Sequence, residues 1–160
     1  MSETIEYLLS QALEADIAEH LSRCDANFVP PLSGRVDISA YARKIESQAI
    51  RFEAWSGSLL VGLVAAYCND EENAIAYITS VSVLREWMSM GIAARLMGQC
   101  IRHAKALGMG QIRLEVAQDN MPAISLYAKS GFVARKTNVT TLFITMDLFL
   151  VSGENHDQQA

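Results

Sequence analysis

The chain has 160 residues, of which 51% are hydrophobic, 19% are charged and only three are proline. This length suits one domain with a sizeable core, and this composition excludes a disordered, collagen-like or proline-rich protein. Thirteen basic residues against eighteen acidic residues give a net charge of -5. This charge opposes nonspecific binding to nucleic acid or to an anionic membrane and favours a neutral or cationic partner.

The cysteines and the N-terminal segment indicate a reducing compartment. Cys24, Cys68 and Cys100 are widely spaced and follow no CxxC or Cys/His ligand pattern, which is typical of buried free thiols. The N-terminus carries acids where a secretory signal would be basic and then apolar, and no apolar run approaches the roughly 20 residues of a membrane span. We therefore expect a cytoplasmic protein without a metal site.

The first quarter of the chain predicts a strand, a helix, a loop and a second helix. Apolar residues alternate over residues 4–9, which favours a short strand, and they recur at helical spacing over residues 12–23. Two consecutive prolines interrupt this pattern and make residues 27–35 a loop. Asp37 is then placed to cap a second amphipathic helix.

The middle of the chain predicts three antiparallel strands. Two β-prone apolar runs, residues 50–56 and 59–67, are separated by Gly57 and Ser58, which is the pattern of a β-hairpin. A third run, residues 74–84, is rich in β-branched residues and is polar only through hydroxyl groups. Such a run indicates a central strand that is covered on both faces.

The rest of the chain alternates between helix and strand. Spacing predicts a helix over residues 91–107, a strand over 111–118, a short helix through Lys129 and a final strand pair over 132–149 around Asn138. The order of all these elements indicates an α+β fold with a mixed sheet.

The turn before the long helix is the first candidate for chemistry. Ser89, Met90 and Gly91 lead into a helix N-terminus, where unpaired backbone N–H groups and the helix dipole suit phosphate oxygens. Gly91 would let a ligand approach the backbone closely. An ordinary strand-to-helix turn that contains a glycine is the alternative, and this segment taken alone favours it.

The strand and short helix near the C-terminus are the second candidate. Glu115 lies on the face of the strand opposite its apolar residues, Asn120 can cap the helix, and Tyr127 lies two turns into it. A carboxylate and a phenol can therefore reach one cleft. The alternatives are an ion pair of Glu115 with Arg113 or Arg135, a purely structural cap at Asn120, and a core role for Tyr127.

Two motifs about thirty residues apart support the functional reading. The pattern N-x-x-A-x-x-L-Y-x-x-x-G-F is complete at Asn120, Ala123, Leu126, Tyr127, Gly131 and Phe132. The pattern Q/R-x-x-G-x-G/A is partial, because Gly91 and Ala93 are in place but Met88 stands where Gln or Arg is usual. On these motifs, the chain resembles the GNAT N-acetyltransferase superfamily, and the resemblance in element order extends over the whole chain.

The resemblance implies a fold and a cosubstrate. The fold would be α+β, with a splayed, mostly antiparallel sheet of six to seven strands and about four helices. Apart from the resemblance, the chain length and the polar C-terminal segment predict one domain over residues 1–150 and a flexible polar tail, 151–160. The cosubstrate would be acetyl-CoA, and no metal would be needed. The residues implied to bind it are Val81, Ser82 and Val83 for the pantetheine, Met88, Ser89, Met90, Gly91, Ile92 and Ala93 for the pyrophosphate, and Asn120 and Tyr127 beyond them.

The resemblance also implies direct attack of a neutral amine on the thioester in a ternary complex. Glu115 would accept the amine proton directly or through water, and Tyr127 would protonate the leaving thiolate. The backbone N–H of Val83 or a neighbour would stabilise the oxyanion. His20 and His103, which lie on predicted helices, are expected to be solvated rather than catalytic.

The acceptor would bind against residues 27–41, where Phe28, Arg35 and Tyr41 are the candidate contacts. A purely structural role for Phe28, as a seal of the core, is equally compatible with the sequence. Arg35 would suit a carboxylate or phosphate on the acceptor, whereas the net acidity would suit a polyamine or aminoglycoside. These two indications point in opposite directions, and the resemblance implies only that the acceptor is a primary amine of a small molecule or a protein N-terminus.

Two readings of function remain open from the sequence. The first is an acetyl-CoA-dependent N-acetyltransferase, which the presence of both Asn120 and Tyr127 favours. The second is a non-catalytic sensor or assembly module that binds acyl-CoA, which the departure at Met88 favours. Transfer of a different acyl group and assembly as a homodimer are left open, and neither a nucleic acid nor a membrane is an expected partner.

Overall fold

The computed structural model describes residues 4–135 and 142–150. The elements in chain order are β1 (Glu6–Leu9), α1 (Glu14–Cys24), α2 (Ile38–Gln48), β2 (Ile50–Ser56), β3 (Leu59–Asp70), β4 (Ile75–Val83), α3 (Ile92–Ala106), β5 (Gln111–Ala117), α4 (Met121–Lys129), β6 (Val133–Ala134) and β7 (Phe143–Phe149). Within these residues, seven strands form one sheet in the order β1-β2-β3-β4-β5-β7-β6. The expected α+β fold with a mostly antiparallel sheet is confirmed.

The predicted elements of the first two thirds of the chain are present within a few residues of their expected bounds. The hairpin turns at Gly57, whose φ of +59° places it in the left-handed region that glycine adopts without strain. Asp37 precedes α2 as expected, but its side chain makes no capping hydrogen bond within the described residues, so that prediction is wrong in detail. The predicted turn around Asn138 and the predicted tail lie outside the described residues, and the predicted domain boundary at 150 stays a prediction.

The two central strands diverge. The parallel strands β4 and β5 pair through residues 75–77 and 111–113, and their described pairing ends there. By contrast, β4 stays paired with β3 as far as Val83. A fork therefore opens between β4 and β5, and the backbone of β4 beyond Tyr77 has one side available to another partner.

A β-bulge in β4 decides which face of the sheet the side chains beside this fork lie on. Ala65 pairs with Ser80 whereas Ala66 pairs with Ile78, so Thr79 is an extra residue in the strand. Because side chains alternate along a strand, the extra residue moves Ser80 and the following Ser82 onto the same face as Tyr77. This face is covered by α1 and α2.

Two apolar clusters hold the helices on the two faces of the sheet. On one face, α3 and α4 pack against the sheet through Leu96, Met97, Cys100, Ile112 and Tyr127. On the other face, α1 and α2 pack through Ile17, Leu21, Ile45, Trp55 and Leu63. None of the helices in the described part of the chain is both long and apolar enough to cross a membrane.

A buried ion pair on strand β2 contacts the residues just before α1 and, through Arg51, the Glu46 carbonyl near the end of α2. The Arg51 guanidinium lies 3.3 Å from the Glu53 carboxylate, which is 0% exposed. Glu53 also accepts hydrogen bonds from the backbone N–H groups of Gln11 and Ala12 and from the Trp55 indole. Because every acceptor position of this carboxylate has a donor, the buried charge is compensated.

Helix α3 packs very closely on the sheet at Gly62. A β-carbon built at this position would lie 2.7 Å from Ile92 Cγ2 and 3.2 Å from Leu96 Cδ1. Such contacts are too short for a side chain, so the absence of one allows the first turns of α3 to lie against β3. Gly62 thereby sets the position of the N-terminus of α3 relative to the fork.

Candidate active site

A cavity of about 600 Å³ opens at the fork. Four segments form its wall: the end of α1 with the following turn, the end of β4, the turn into α3 with the start of that helix, and α4 with the residues before it. The predicted site residues in its lining are Phe28, Val81, Ser82, Val83, Met88, Ser89, Gly91, Ile92, Ala93, Asn120 and Tyr127. A second, smaller cavity of about 380 Å³ between β1 and α3 is lined by none of the predicted site residues.

Four predicted residues are absent from the described lining of this cavity. Met90 lies in the turn before α3 with 59% of its surface exposed. Glu115 is exposed on β5, Arg35 is exposed in the loop before α2, and Tyr41 lies on α2. Their roles stay predictions, and the contacts that the structure gives each of them are described below.

The turn into α3 has a backbone shape suited to an anion. Ser89 and Gly91 have φ values of +66° and +79°, so two left-handed residues lie just before the helix. Within the described residues, no side chain caps this helix, and its first turn holds no acidic residue. The N–H groups of this first turn therefore remain available as donors at the positive end of the helix dipole.

Gly91 is required by backbone conformation rather than by space. A β-carbon there would meet nothing within 4 Å, but φ of +79° disfavours any residue with a β-carbon. Ser89 adopts a similar φ with a side chain, which marks the turn as locally strained. Met88, which stands in place of the usual Gln or Arg, is 43% exposed at the cavity wall.

Tyr127 projects from α4 into the cavity wall and is 7% exposed. Its ring packs edge-to-face against Phe132, with 6.2 Å between ring centroids. Burial raises the pKa of Tyr127 to about 12, so the phenol holds its proton at neutral pH. Its hydroxyl has no hydrogen-bond partner among residues 4–135 and 142–150, which leaves this donor available to a ligand.

Asn120 caps helix α4, as predicted. Its side-chain oxygen accepts a hydrogen bond from the backbone N–H of Ala123 at 3.4 Å. Pro122 fits the first turn of this helix, where its missing N–H costs nothing. The cap fixes the start of α4 at the cavity wall and so helps to place Tyr127.

The ion pairs near Glu115 differ from the predicted alternative. Arg113 and Arg135 both bind Asp147 on β7, each with a closest nitrogen–oxygen distance of 3.0 Å. Burial alone would raise the pKa of Asp147, but hydrogen bonds from Arg113, Gln111 and Arg135 outweigh burial and lower it. The proposed structural pairing of Glu115 with either arginine is therefore wrong.

Glu115 instead lies on the face of the sheet covered by α1 and α2, two residues beyond the last described pair of β4 and β5. Tyr77 is on the same face, because it pairs with Arg113 and strand side chains alternate. Burial raises the pKa of Tyr77, the nearby Glu115 carboxylate raises it further, and Arg35 lowers it. A carboxylate, a phenol and a guanidinium therefore lie near one another on this face of the sheet.

The three residues predicted to contact the acceptor have different surroundings. Phe28 lines the cavity and packs against both apolar clusters, so it combines the predicted binding position with the structural alternative. The Tyr41 hydroxyl donates to the Thr79 carbonyl at 2.6 Å and thus ties α2 to the bulge in β4. The Arg35 guanidinium stacks 5.5 Å from the centroid of the Phe143 ring on β7.

His20 is buried, and the expectation that it is solvated is wrong. It is 1% exposed, with Nδ1 2.8 Å from the Leu60 carbonyl oxygen and Nε2 2.9 Å from Ser82 Oγ. Burial lowers its pKa to about 4. The sequence held a signal for this position, because His20 lies three and four residues from Ile17 and Cys24 on the buried stripe of α1. His103, by contrast, is half-buried on α3.

The three cysteines are free thiols, as predicted. Cys24 and Cys100 are buried, whereas Cys68 is half-buried. Burial raises the pKa of Cys24 to about 11 and that of Cys100 to about 12, so both stay protonated at neutral pH. Among the residues that the structure describes, no group of His, Cys, Asp and Glu side chains could hold a metal ion.

Comparison with known proteins gives the family. Mycothiol acetyltransferase from Geodermatophilus obscurus is 27% identical over 93 residues, which are 56% of this chain and 30% of that protein, so the chain spans less than a third of this relative. A GNAT-family acetyltransferase from Staphylococcus aureus Mu50 shares the fold with a TM-score of 0.76 at 14% identity, over 92% of this chain and 100% of that one. The yncA protein of Salmonella typhimurium, solved with acetyl-CoA, has a TM-score of 0.71 at 16% identity, over 92% of this chain and 94% of that one. The family model of the acetyltransferase (GNAT) family matches residues 14–132. The chain therefore belongs to the acetyltransferase (GNAT) family.

Proposed function

We propose that this protein is an acetyl-CoA-dependent N-acetyltransferase that acetylates a primary amine of a small molecule or of a protein N-terminus. The observation that carries the proposal is the set of groups that line the cavity at the fork. In one space of about 600 Å³ it combines a β4 backbone that β5 leaves unpaired, an anion-suited helix N-terminus and the buried phenol of Tyr127. Membership of the GNAT family supports the same reaction.

The cavity fits the parts of acetyl-CoA. The N–H groups of Ser89 to Ala93 would hold the pyrophosphate, since the helix dipole and the left-handed turn favour an anion there. The backbone of residues 81–83 would pair with the pantetheine amides. The Met88 side chain has no hydrogen-bond donor, but one lost side-chain donor is worth only about 1 kcal/mol against several backbone donors.

The chain's own residues supply the proton transfers. Bound acetyl-CoA would provide an acetyl group activated as a thioester. Glu115 accepts the proton that the amine loses as its nitrogen bonds to the acetyl carbon, directly or through one water. The N–H of Val83 donates to the thioester oxygen as negative charge develops on it. Tyr127 donates a hydrogen bond and then its proton to the departing sulfur.

The raised pKa of Tyr127 is compatible with this last step. A phenol with a pKa of about 12 is a poor acid toward a thiolate in water. However, buried thiols in this same fold, Cys24 and Cys100, have pKa values raised to about 11 and about 12. A thiolate that forms in the cavity would lose hydration through the same cause, which would raise its basicity toward that of Tyr127.

The face of the sheet that carries Glu115 and Tyr77 would suit a small amine that also carries an anionic group. The charges of Glu115 and Arg35 both act on Tyr77, so a carboxylate and a guanidinium lie near this one phenol. The carboxylate would attract the ammonium form of the acceptor, and the exposed guanidinium would bind its carboxylate or phosphate. This arrangement accommodates both acceptor preferences that the sequence indicated.

The test measures thiol release from acetyl-CoA with a panel of amines, together with calorimetric binding of acetyl-CoA. The panel should include amino acids, polyamines, aminoglycosides, mycothiol-related amines and short peptides with a free N-terminus. Binding with amine-dependent thiol release supports the proposal. Binding without turnover on any amine favours the non-catalytic module, which the presence of Met88 at the cavity wall keeps open. Absence of binding contradicts both functions.

A further inference from the structure

The hydrogen bonds of His20 fix the position of its proton. Nδ1 lies 2.8 Å from the Leu60 carbonyl oxygen, which can only accept, so Nδ1 must carry hydrogen. Burial keeps the ring neutral near pH 7, so Nε2 has a lone pair and no hydrogen. The Ser82 hydroxyl, 2.9 Å from Nε2, must therefore be the donor in that contact.

This assignment also fixes what Ser82 offers to the cavity. Its hydroxyl hydrogen is directed at His20, so the lone pairs of its oxygen are what it offers to a ligand and to the neighbouring Cys24 thiol. Ser82 is half-buried and lines the cavity. Because of the bulge at Thr79, its side chain lies on the face covered by α1 and α2, which is also the face of Glu115.

The other groups around the imidazole support a neutral ring. Cys24 Sγ lies 3.7 Å from Nε2. Burial raises the pKa of this thiol to about 11, although a hydrogen bond with Ser82 lowers it, so the thiol contributes no charge near neutral pH. Glu86, in the turn after β4, acts on Cys24 but is not a cause of the shift at His20. The imidazole is therefore held as a hydrogen-bond acceptor rather than as a base that gains a proton.

We propose that His20 is a positioning residue for acetyl transfer: it orients the Ser82 hydroxyl so that Ser82 Oγ accepts a hydrogen bond from the acceptor amine. This inference rests on the proposed N-acetyltransferase function. A neutral primary amine has two N–H groups and one lone pair. Ser82 holds one N–H, which directs the lone pair toward the thioester carbon, and the proton lost on attack goes to Glu115 rather than to His20.

Three substitutions separate positioning from a structural role. Ser82→Ala removes the acceptor oxygen. His20→Asn keeps a donor for the Leu60 carbonyl but is too short to reach Ser82. His20→Gln extends an amide to the distance of Nε2 and can accept from Ser82. His103→Gln is the matched control, because this half-buried histidine packs edge-to-face against Phe52 and lies outside the lining of the cavity at the fork.

The measurements are kcat and KM for the best amine, the Kd of acetyl-CoA, thermal stability and the pH profile of kcat/KM. Ser82→Ala and His20→Asn should each lower kcat/KM for the amine by roughly five- to tenfold, the effect of one hydrogen bond, with the Kd of acetyl-CoA changed by less than about twofold. The double variant should lose no more than either single variant. His20→Gln should recover most of the loss, and the pH profile should keep its shape in every variant.

Ser82→Ala decides the matter even if a His20 variant fails to fold, since alanine removes only an oxygen from a half-buried side chain. Unchanged kcat/KM for the amine in Ser82→Ala would overturn the inference while leaving the proposed function intact. Additive losses in the double variant, or a loss confined to acetyl-CoA affinity, would overturn it as well. A wild-type protein that turns over no amine would instead overturn the proposed function, and this inference with it.

Discussion

Mild acid should destabilise this protein through His20. The unfolded chain binds a proton at this residue with a pKa near 6.5, whereas burial in the folded state lowers the pKa to about 4. Between these two values the unfolded state binds more protons, so the free energy of unfolding falls as the pH falls. The stability that depends on a neutral His20 is fully present above pH 6.5 and is lost as the pH falls to 4. At about 1.4 kcal/mol per pKa unit, this is roughly 3 kcal/mol.

Such a loss is a large fraction of the roughly 5–15 kcal/mol that stabilises most domains. Urea denaturation in steps between pH 4 and pH 7.5, followed by circular dichroism, measures it directly. His20→Gln should be less stable than the wild type at pH 7 but should show a flatter dependence on pH. The carboxylates, Asp147 among them, titrate equally in both proteins and cancel in the difference.

His103→Gln is again the control for the loss of a histidine side chain at a position away from His20. A wild-type protein and a His20→Gln variant with parallel curves between pH 6.5 and pH 4 would refute the reasoning. Such a result would mean that His20 is solvated or already protonated in the folded state. The tautomer assigned to it, and the orientation of Ser82 that follows, would then be wrong.

Three further substitutions test other parts of the structure. Tyr127→Phe should lower kcat by on the order of 100-fold with little change in the Kd of acetyl-CoA. Thermal stability should also change little, because the Tyr127 hydroxyl has no partner in the described residues. An unchanged kcat would show that Tyr127 is not the acid. In Gly62→Ala, the new β-carbon would lie 2.7 Å from Ile92 Cγ2 and push α3 outward. The fold should lose about 1–3 kcal/mol of stability, seen as a lower melting temperature, and acetyl-CoA binding should weaken. Glu53→Ala should cost about 3–5 kcal/mol in urea denaturation, because it leaves the Arg51 charge buried without its partner; a cost below about 1 kcal/mol would show that water reaches this pair.

The predictions that succeeded from sequence rest on local chemistry. The hairpin at Gly57, the start of α4 at Asn120 and the turn at Gly91 each depend on residues a few positions apart, whose backbone preferences are readable from the chain. The motif around Tyr127 added the family, and with it the expected fold. Of the residues predicted to bind the cosubstrate, all but Met90 line the cavity at the fork.

The predictions that failed concern partners that are distant in the chain. The alternative pairing of Glu115 with Arg113 or Arg135 was chemically reasonable, but β7 brings Asp147 beside both arginines. The choice between two acids depends on strand order and register, and Asp147 lies more than thirty residues beyond Glu115 in the chain. Side-chain pairing across a sheet is therefore not decided by local sequence.

The sequence by itself determined the α+β class, the family and the segments that form the cavity, because periodicity, turn residues and the two motifs are local properties of the chain. Only the tertiary structure decided what those segments present to a ligand. A single extra residue in β4 turns Ser82 toward α1, and close packing there buries His20 and keeps it neutral. Burial and contact between elements far apart in sequence set protonation and orientation, and these exist only once the chain has folded.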